Sequence, residues 1–182
     1  MDKEDSQLVV LSGDPITGEN TYEHNSTDYA NEIVQPSLNR GLLWASTNGD
    51  RDSDFNAVKA HNCDSGAELS NRLTRQDVHA NTSGVSNYYL PVYFSDAGKL
   101  APELLLWFFG SRGGKYYQTL NSTGNEVPQP NRVGQTVVDW FTAARTKLHS
   151  QYGKDVPSLA FVHVPSYAML AFQQGPGAEP HH

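Results

Sequence analysis

"GLLWASTNGD", residues Gly41 to Asp50, decides the reading of the fold. Its apolar half has the look of a short buried strand, and that strand stops at a glycine followed by an acid. Upstream, "LVVLSGD" from Leu8 to Asp14 repeats the pattern: an uninterrupted apolar run, a stop at Gly13, an acid at the carboxyl end. Between them lies "STDYANEIVQPSLNRG". Ser26 or Thr27 is placed to cap a helix whose apolar positions Tyr29, Ile33 and Val34 recur at helical spacing. Pro36 predicts a kink or break in that helix, and Gly41 closes it. Strand, helix and strand, with an acid ending each strand, make a βαβ arrangement and predict an α/β protein.

Further along, residues 57–86 are polar and weakly patterned, a long excursion with one helical turn expected near Glu68 to Leu73. "NYYLPVYF" and "PELLLWFFGSRGG" read as two strands of a hairpin turning at Asp96 to Lys99, with Pro91 marking an edge or a bulge and "KYYQTL" available as a third strand. From Val133 to Tyr152, Val137, Trp140, Phe141, Ala144 and Leu148 share one helical face, and Gly153 ends the helix. "PSLAFVHVP" follows as a buried strand delivering His163, and "SYAMLAFQ" reads as a short helix.

Composition narrows the function. With 182 residues there is room for one domain with a real core, and 37% hydrophobic content with 15 Gly and 10 Pro suits a loop-rich globular protein. A net charge of −7 without a Lys/Arg cluster argues against a nucleic-acid partner or an anionic membrane surface. The longest apolar run, Leu104 to Phe109, falls far short of the roughly 20 residues a membrane span needs. Cys63 stands alone, which excludes an intramolecular disulfide and fits a reducing compartment. The acidic start "MDKEDSQ" has none of the features of a secretory leader, so an intracellular location is expected.

Three strand ends carry ligand-type side chains: Asp14, Asp50 and His163. Open α/β sheets gather ligands at the carboxyl ends of their strands, and two carboxylates with one imidazole suit a divalent Zn, Mn or Fe ion. Each also has an ordinary explanation, since an acid beside glycine is common turn chemistry and a histidine beside proline is often a hydrogen-bonded structural residue. Asp52 and Asp54 are candidates to support the site by orienting Arg51; a solvated acidic turn is the rival account. "GSRGG", Gly110 to Gly114, has the look of a phosphate cradle, but glycines after a strand more often form turns.

"GDPITGENT", "STNGDRDSDFN", "NYYLPVY", "WFFGSRGGKYYQ", "WFTAARTKL" and "PSLAFVHVPSYAM", in that order, resemble the calcineurin-like metallophosphoesterases of the purple-acid-phosphatase-related fungal type. The resemblance runs over nearly the whole chain and implies one domain, residues 1–182, with a mixed sheet sandwich flanked by helices. It implies that Asp14 matches the family's metal-bridging aspartate, and Gly49-Asp50-Arg51-Asp52 its Gly-Asn-His-[Asp/Glu] motif. His163 matches a strand-end histidine ligand. Two departures fall inside that motif. Asp50 replaces an asparagine and remains an oxygen donor. Arg51 replaces the histidine that assists the leaving group, and a guanidinium exchanges no protons near neutral pH, though it can still grip a phosphate oxygen.

The family's opening Asp-x-His and closing Gly-His-x-His motifs have no counterpart among these residues. The expectation is therefore a partial domain without its first strand and C-terminal hairpin, with sheet edges open to self-association. The donors that remain predict at most one bound ion (Fe, Zn or Mn), and a phosphatase for a phosphorylated small molecule or phosphoprotein that is impaired. The alternative is an inactive relic or phosphate-binding module of the same fold.

Overall fold

The structure is a computed structural model in which residues 6–16, 26–53, 71–80, 83–95, 101–164 and 173 are described. Strand β1 (Leu8–Leu11), helix α1 (Ser26–Leu38) and strand β2 (Leu43–Ser46) form the expected βαβ unit. β1 and β2 run parallel, with Leu8 opposite Leu43 and Leu11 opposite Ser46. Pro36 stands in the last turn of α1, so helical backbone continues only two residues past it. Gly41, at φ 66°, then turns the chain toward β2. The side chains of Ser26 and Thr27 lie outside the described part.

The second sheet has the order β3-β4-β7, built from β3 (Tyr88–Val92), β4 (Leu104–Phe109) and β7 (Ser158–Val162). β3 pairs antiparallel with β4 and β7 parallel with it. Pro91 falls on β3, an edge strand of its sheet among the described residues, the position where a missing N–H is tolerated. Strand β5 (Lys115–Leu120) does not join this sheet as the third hairpin strand; it pairs with β6 (Glu126–Pro128) as a separate ribbon, tied by the Lys115–Glu126 ion pair. The place beside β4 goes to β7, because helix α2 (Gln135–Tyr152) returns the chain across the sheet in a parallel crossover.

Alternation along β4 sorts the core into two layers. Leu106 and Phe108 face Ala45, Tyr88 and Leu90, with Leu8 and Val10 packed alongside, so the two sheets share one apolar layer. Leu105 and Trp107 face Leu148 of α2, with Trp140, Phe141 and Ala144 against them. The rings of Trp107 and Phe141 meet edge to face at 4.7 Å, while Tyr88 and Phe108 stack at 4.5 Å. α1 packs near the β1 loop through Ala30 and Ile16. This is an α/β architecture of several open sheets with two helices among the described residues. No described helix is long and apolar enough to cross a membrane.

Two expectations change here. β7 is not a buried strand: Ser158, Leu159 and Ala160 are exposed, Leu159 by 51%, because β7 forms an edge of its sheet among the described residues. Asn71 to Leu73 form no helical turn; the chain there bridges β2 through Trp44 and Arg72. Glu68 to Ser70, the turn at Asp96 to Lys99 and, apart from Gln173, the helix expected from Ser166 lie outside the described residues.

Candidate metal centre

Hydrogen bonds between the sheets bring four strand ends to one place. Tyr88 donates from its hydroxyl to the Ser46 carbonyl at 2.7 Å, and Thr47 donates to the Phe109 carbonyl at 3.0 Å. The end of β2 is thereby held to the end of β4. Past β7, His163 Nδ1 lies 3.0 Å from the carbonyl oxygen of Ser12, the residue after β1. The parallel pairs β1–β2 and β4–β7 thus deliver their carboxyl ends to a common edge.

At that edge Asp14, Asp50 and His163 meet, each partly buried, with one donor atom apiece and all within 4.8 Å of one another. His163 Nε2 stands 3.2 Å from Asp14 Oδ2 and 3.1 Å from Asp50 Oδ1. The Ser12 carbonyl can only accept, so the proton of a neutral imidazole sits on Nδ1. That leaves a lone pair on Nε2 facing two carboxylate oxygens. Three electron-rich atoms in such proximity call for a positive charge between them, either a second proton on the ring or a cation. A histidine whose far nitrogen is fixed by a backbone carbonyl, with carboxylates beside the near one, has the donor arrangement of a divalent-metal ligand. The residues present therefore fit a single ion.

Burial works against the imidazolium of His163. The Ser12 carbonyl and the charges of Asp14 and Asp50 outweigh it, and the ring's pKa is raised above the ordinary histidine value.

Asp52 is fully buried and holds the two acid-bearing loops together. Its Oδ2 accepts the N–H groups of Asp14 at 2.9 Å and Gly49 at 2.8 Å, and Oδ1 lies 3.5 Å from the N–H of Ile16. Burial strips water from this carboxylate and pushes its pKa up to about 6, against the opposing pull of those N–H donors. Asp14 reciprocates across the loops, its Oδ1 accepting the Arg51 N–H at 2.9 Å. Arg51 and Asp52 lie in a short 3₁₀ turn, Arg51–Ser53, and the side chain of Arg51 is exposed. Asp54 lies outside the described residues.

Two glycines give the site its closeness, Gly13 before Asp14 and Gly49 before Asp50, which the sequence marks as strand stops and motif positions but not as contacts of the site. Gly13 has φ +102°, a conformation side chains rarely adopt, and a Cβ there would come within 2.5 Å of the His163 ring. A Cβ on Gly49 would drive into the Asp14 carboxylate. Gly49→Ala is expected to push Asp14 off its position and weaken Mn²⁺ binding by about tenfold, the lower end of what disturbing a ligand's support costs. Isothermal titration with Mn²⁺ checks this, and unchanged affinity would mean the carboxylate has room to move.

Comparison with known proteins comes down to a distant similarity. Searches show no matching family model and no matching solved structure. Phosphatase DCR2 of Saccharomyces cerevisiae (strain ATCC 204508 / S288c) is 27% identical over 188 residues, an alignment covering 97% of this chain and 30% of the yeast protein. The chain thus spans less than a third of that relative's length, and what it resembles is a phosphatase.

Proposed function

We propose that this chain is a metal-dependent phosphatase domain of the calcineurin-like metallophosphoesterase class, weak in turnover, with Asp14, Asp50 and His163 holding one divalent ion. The observation that carries the reading is the convergence of these three donors from three separate strand ends within 4.8 Å, in a chain similar to a phosphatase. A bound Mn, Fe or Zn ion would supply Lewis-acid polarisation of a phosphoryl oxygen and lower the cost of generating a nucleophile from water. The chain's own residues set the rest. Asp14 and Asp50 would offset the ion's charge, and His163 is oriented through the Ser12 carbonyl. Asp52 keeps the two loops in register. Arg51 follows Asp50 directly, where it can hold an anionic oxygen but cannot protonate a leaving group.

That substitution supports a second reading from a different class, a phosphate-binding module without turnover. General-acid assistance is worth roughly 10²–10⁴-fold, so its loss leaves hydrolysis slow even where binding survives. The test is an aryl-phosphate assay with added Mn²⁺, Zn²⁺ or Fe²⁺, together with metal content per chain. The phosphatase reading expects about one ion per chain and slow turnover that vanishes in Asp14→Ala. Phosphate binding without any Asp14-dependent turnover selects the binding module, and failure to retain any ion sinks the metal site.

A further inference from the structure

We propose that the cavity beside the triad is an oxyanion pocket in which Arg112 and Asn48 hold the phosphoryl group of the substrate. This inference rests on the phosphatase reading and adds to it the residues that position the anion. The cavity measures about 100 Å³, several times the roughly 10–15 Å³ a single water requires, and so has room for one tetrahedral oxyanion. Its walls include Asn48, Gly49, Val85, Arg112 and Gln129. Gly49 packs directly against Asp14, and Gly113, the neighbour of Arg112, packs against Asp50, so cavity and triad share a wall.

Two of the lining side chains have hydrogen-bonding capacity left over. Asn48 is 7% exposed, and its backbone N–H is donated to Ser86 at 2.9 Å. Its carboxamide makes no hydrogen bond among the described residues. A carboxamide with no partner among the described residues keeps both its donor and its acceptor available to a ligand in the cavity it lines. Arg112 is half-buried and uses Nε to donate to the Arg132 carbonyl at 3.2 Å. Its two terminal nitrogens pair with nothing among the described residues.

Arg112 also holds a left-handed backbone at φ 57° and bridges to Asn131, which fixes the stem of the side chain on the ribbon side of the cavity. Gln129, anchored through Nε2 to the Lys115 carbonyl at 3.0 Å, closes that side. A guanidinium with two free N–H edges matches two oxygens of a phosphoryl group, and a carboxamide matches a third. In a chain of net charge −7, a half-buried guanidinium whose terminal nitrogens have no partner among the described residues and line a cavity is an anion-recognition feature. The cavity is too small for the remainder of a substrate, which must lie outside it toward solvent.

The test titrates inorganic phosphate by calorimetry into the full chain with Mn²⁺ present, and separately titrates Mn²⁺ alone. Arg112→Gly suits the purpose because glycine accepts φ 57° without strain. Asn48→Ala and Arg112→Gln serve as companions, and melting temperatures confirm that all three fold. Phosphate affinity is expected to fall about 10- to 100-fold in Arg112→Gly, the ordinary weight of a charged hydrogen bond, while Mn²⁺ affinity stays within about twofold. Wild-type phosphate affinity in Arg112→Gly and Arg112→Gln, with Mn²⁺ still bound, overturns the pocket and leaves the metal reading standing. Arg112-dependent phosphate binding in a wild-type chain that takes no Mn²⁺ does the reverse. A wild-type chain that binds no phosphate refutes the pocket outright.

Discussion

Replacing His163 with alanine is expected to lower Mn²⁺ affinity by about 100-fold or more. Loss of a mere supporting partner costs 10- to 100-fold at metal sites, and His163 is one of three direct donors. The variant should fold, because the ring is partly buried at the strand ends and belongs to neither apolar layer. Isothermal titration at fixed pH reads the effect, and near-wild-type affinity would show that the ion, if bound, sits elsewhere.

The same residue sets the pH dependence. A proton and a cation compete for the Nε2 lone pair, and the Ser12 carbonyl and two carboxylates raise the pKa of His163 over the opposition of burial. Mn²⁺ affinity is therefore expected to climb with pH through and beyond 6.5, the unperturbed imidazole value, and to flatten above the ring's raised pKa. In the metal-free protein the linkage runs the other way. The proton on His163 contributes stability that is complete below pH 6.5 and lost as pH rises through the folded value.

The second large effect belongs to Asp52. Asp52→Ala removes the acceptor for the N–H groups of Asp14 and Gly49 in a buried place, and each stranded donor costs about 1–3 kcal/mol. A loss of about 2–6 kcal/mol in denaturant unfolding is expected, together with loss of Mn²⁺ binding as the two loops separate. Asp52→Asn, which keeps an acceptor oxygen, should lose much less. It also isolates a titration. Folding raises the Asp52 pKa from 3.8 to about 6, so its share of stability is full below pH 3.8 and is lost as pH rises through 6. Two pH units correspond to about 3 kcal/mol. Wild-type metal-free protein is expected to lose stability across this window, and Asp52→Asn should lack that decline. Parallel curves for the two proteins would mean that the loop N–H groups already hold Asp52 ionised.

The parts of the fold governed by local pattern were legible in the sequence. The Leu8–Leu11 run, the helical spacing around Ile33 and Val34, and the apolar face from Val137 to Leu148 each specify an element by the side chains it must bury. Pairing was less legible. Whether β5 or β7 lies beside β4 depends on the α2 crossover, which no property of "KYYQTL" encodes. The exposure of β7 follows from its place in the sheet rather than from its apolar composition.

The candidate site divides along similar lines. Asp14, Asp50 and His163 could be singled out because acids and a histidine at strand ends are conspicuous residue types. Asp52 could be nominated, but its burial among backbone N–H groups could not, because an acid two residues after another reads as solvated. Arg112 sits in the GSRGG stretch, which reads as a phosphate cradle or, more simply, a glycine turn, while Asn48 carries no pattern of its own; their unspent donors meet only when residues after β2, β4 and β6 enclose one cavity.

The contact between His163 and the Ser12 carbonyl spans 151 positions of the chain. Closing so long a loop must await the β4–α2–β7 crossover, since entropy delays distant pairings until nearer ones have formed. Ion-binding competence should therefore arrive at the end of refolding and vanish at the first cooperative opening, which makes affinity for the cation a reporter of whether the tertiary structure is intact.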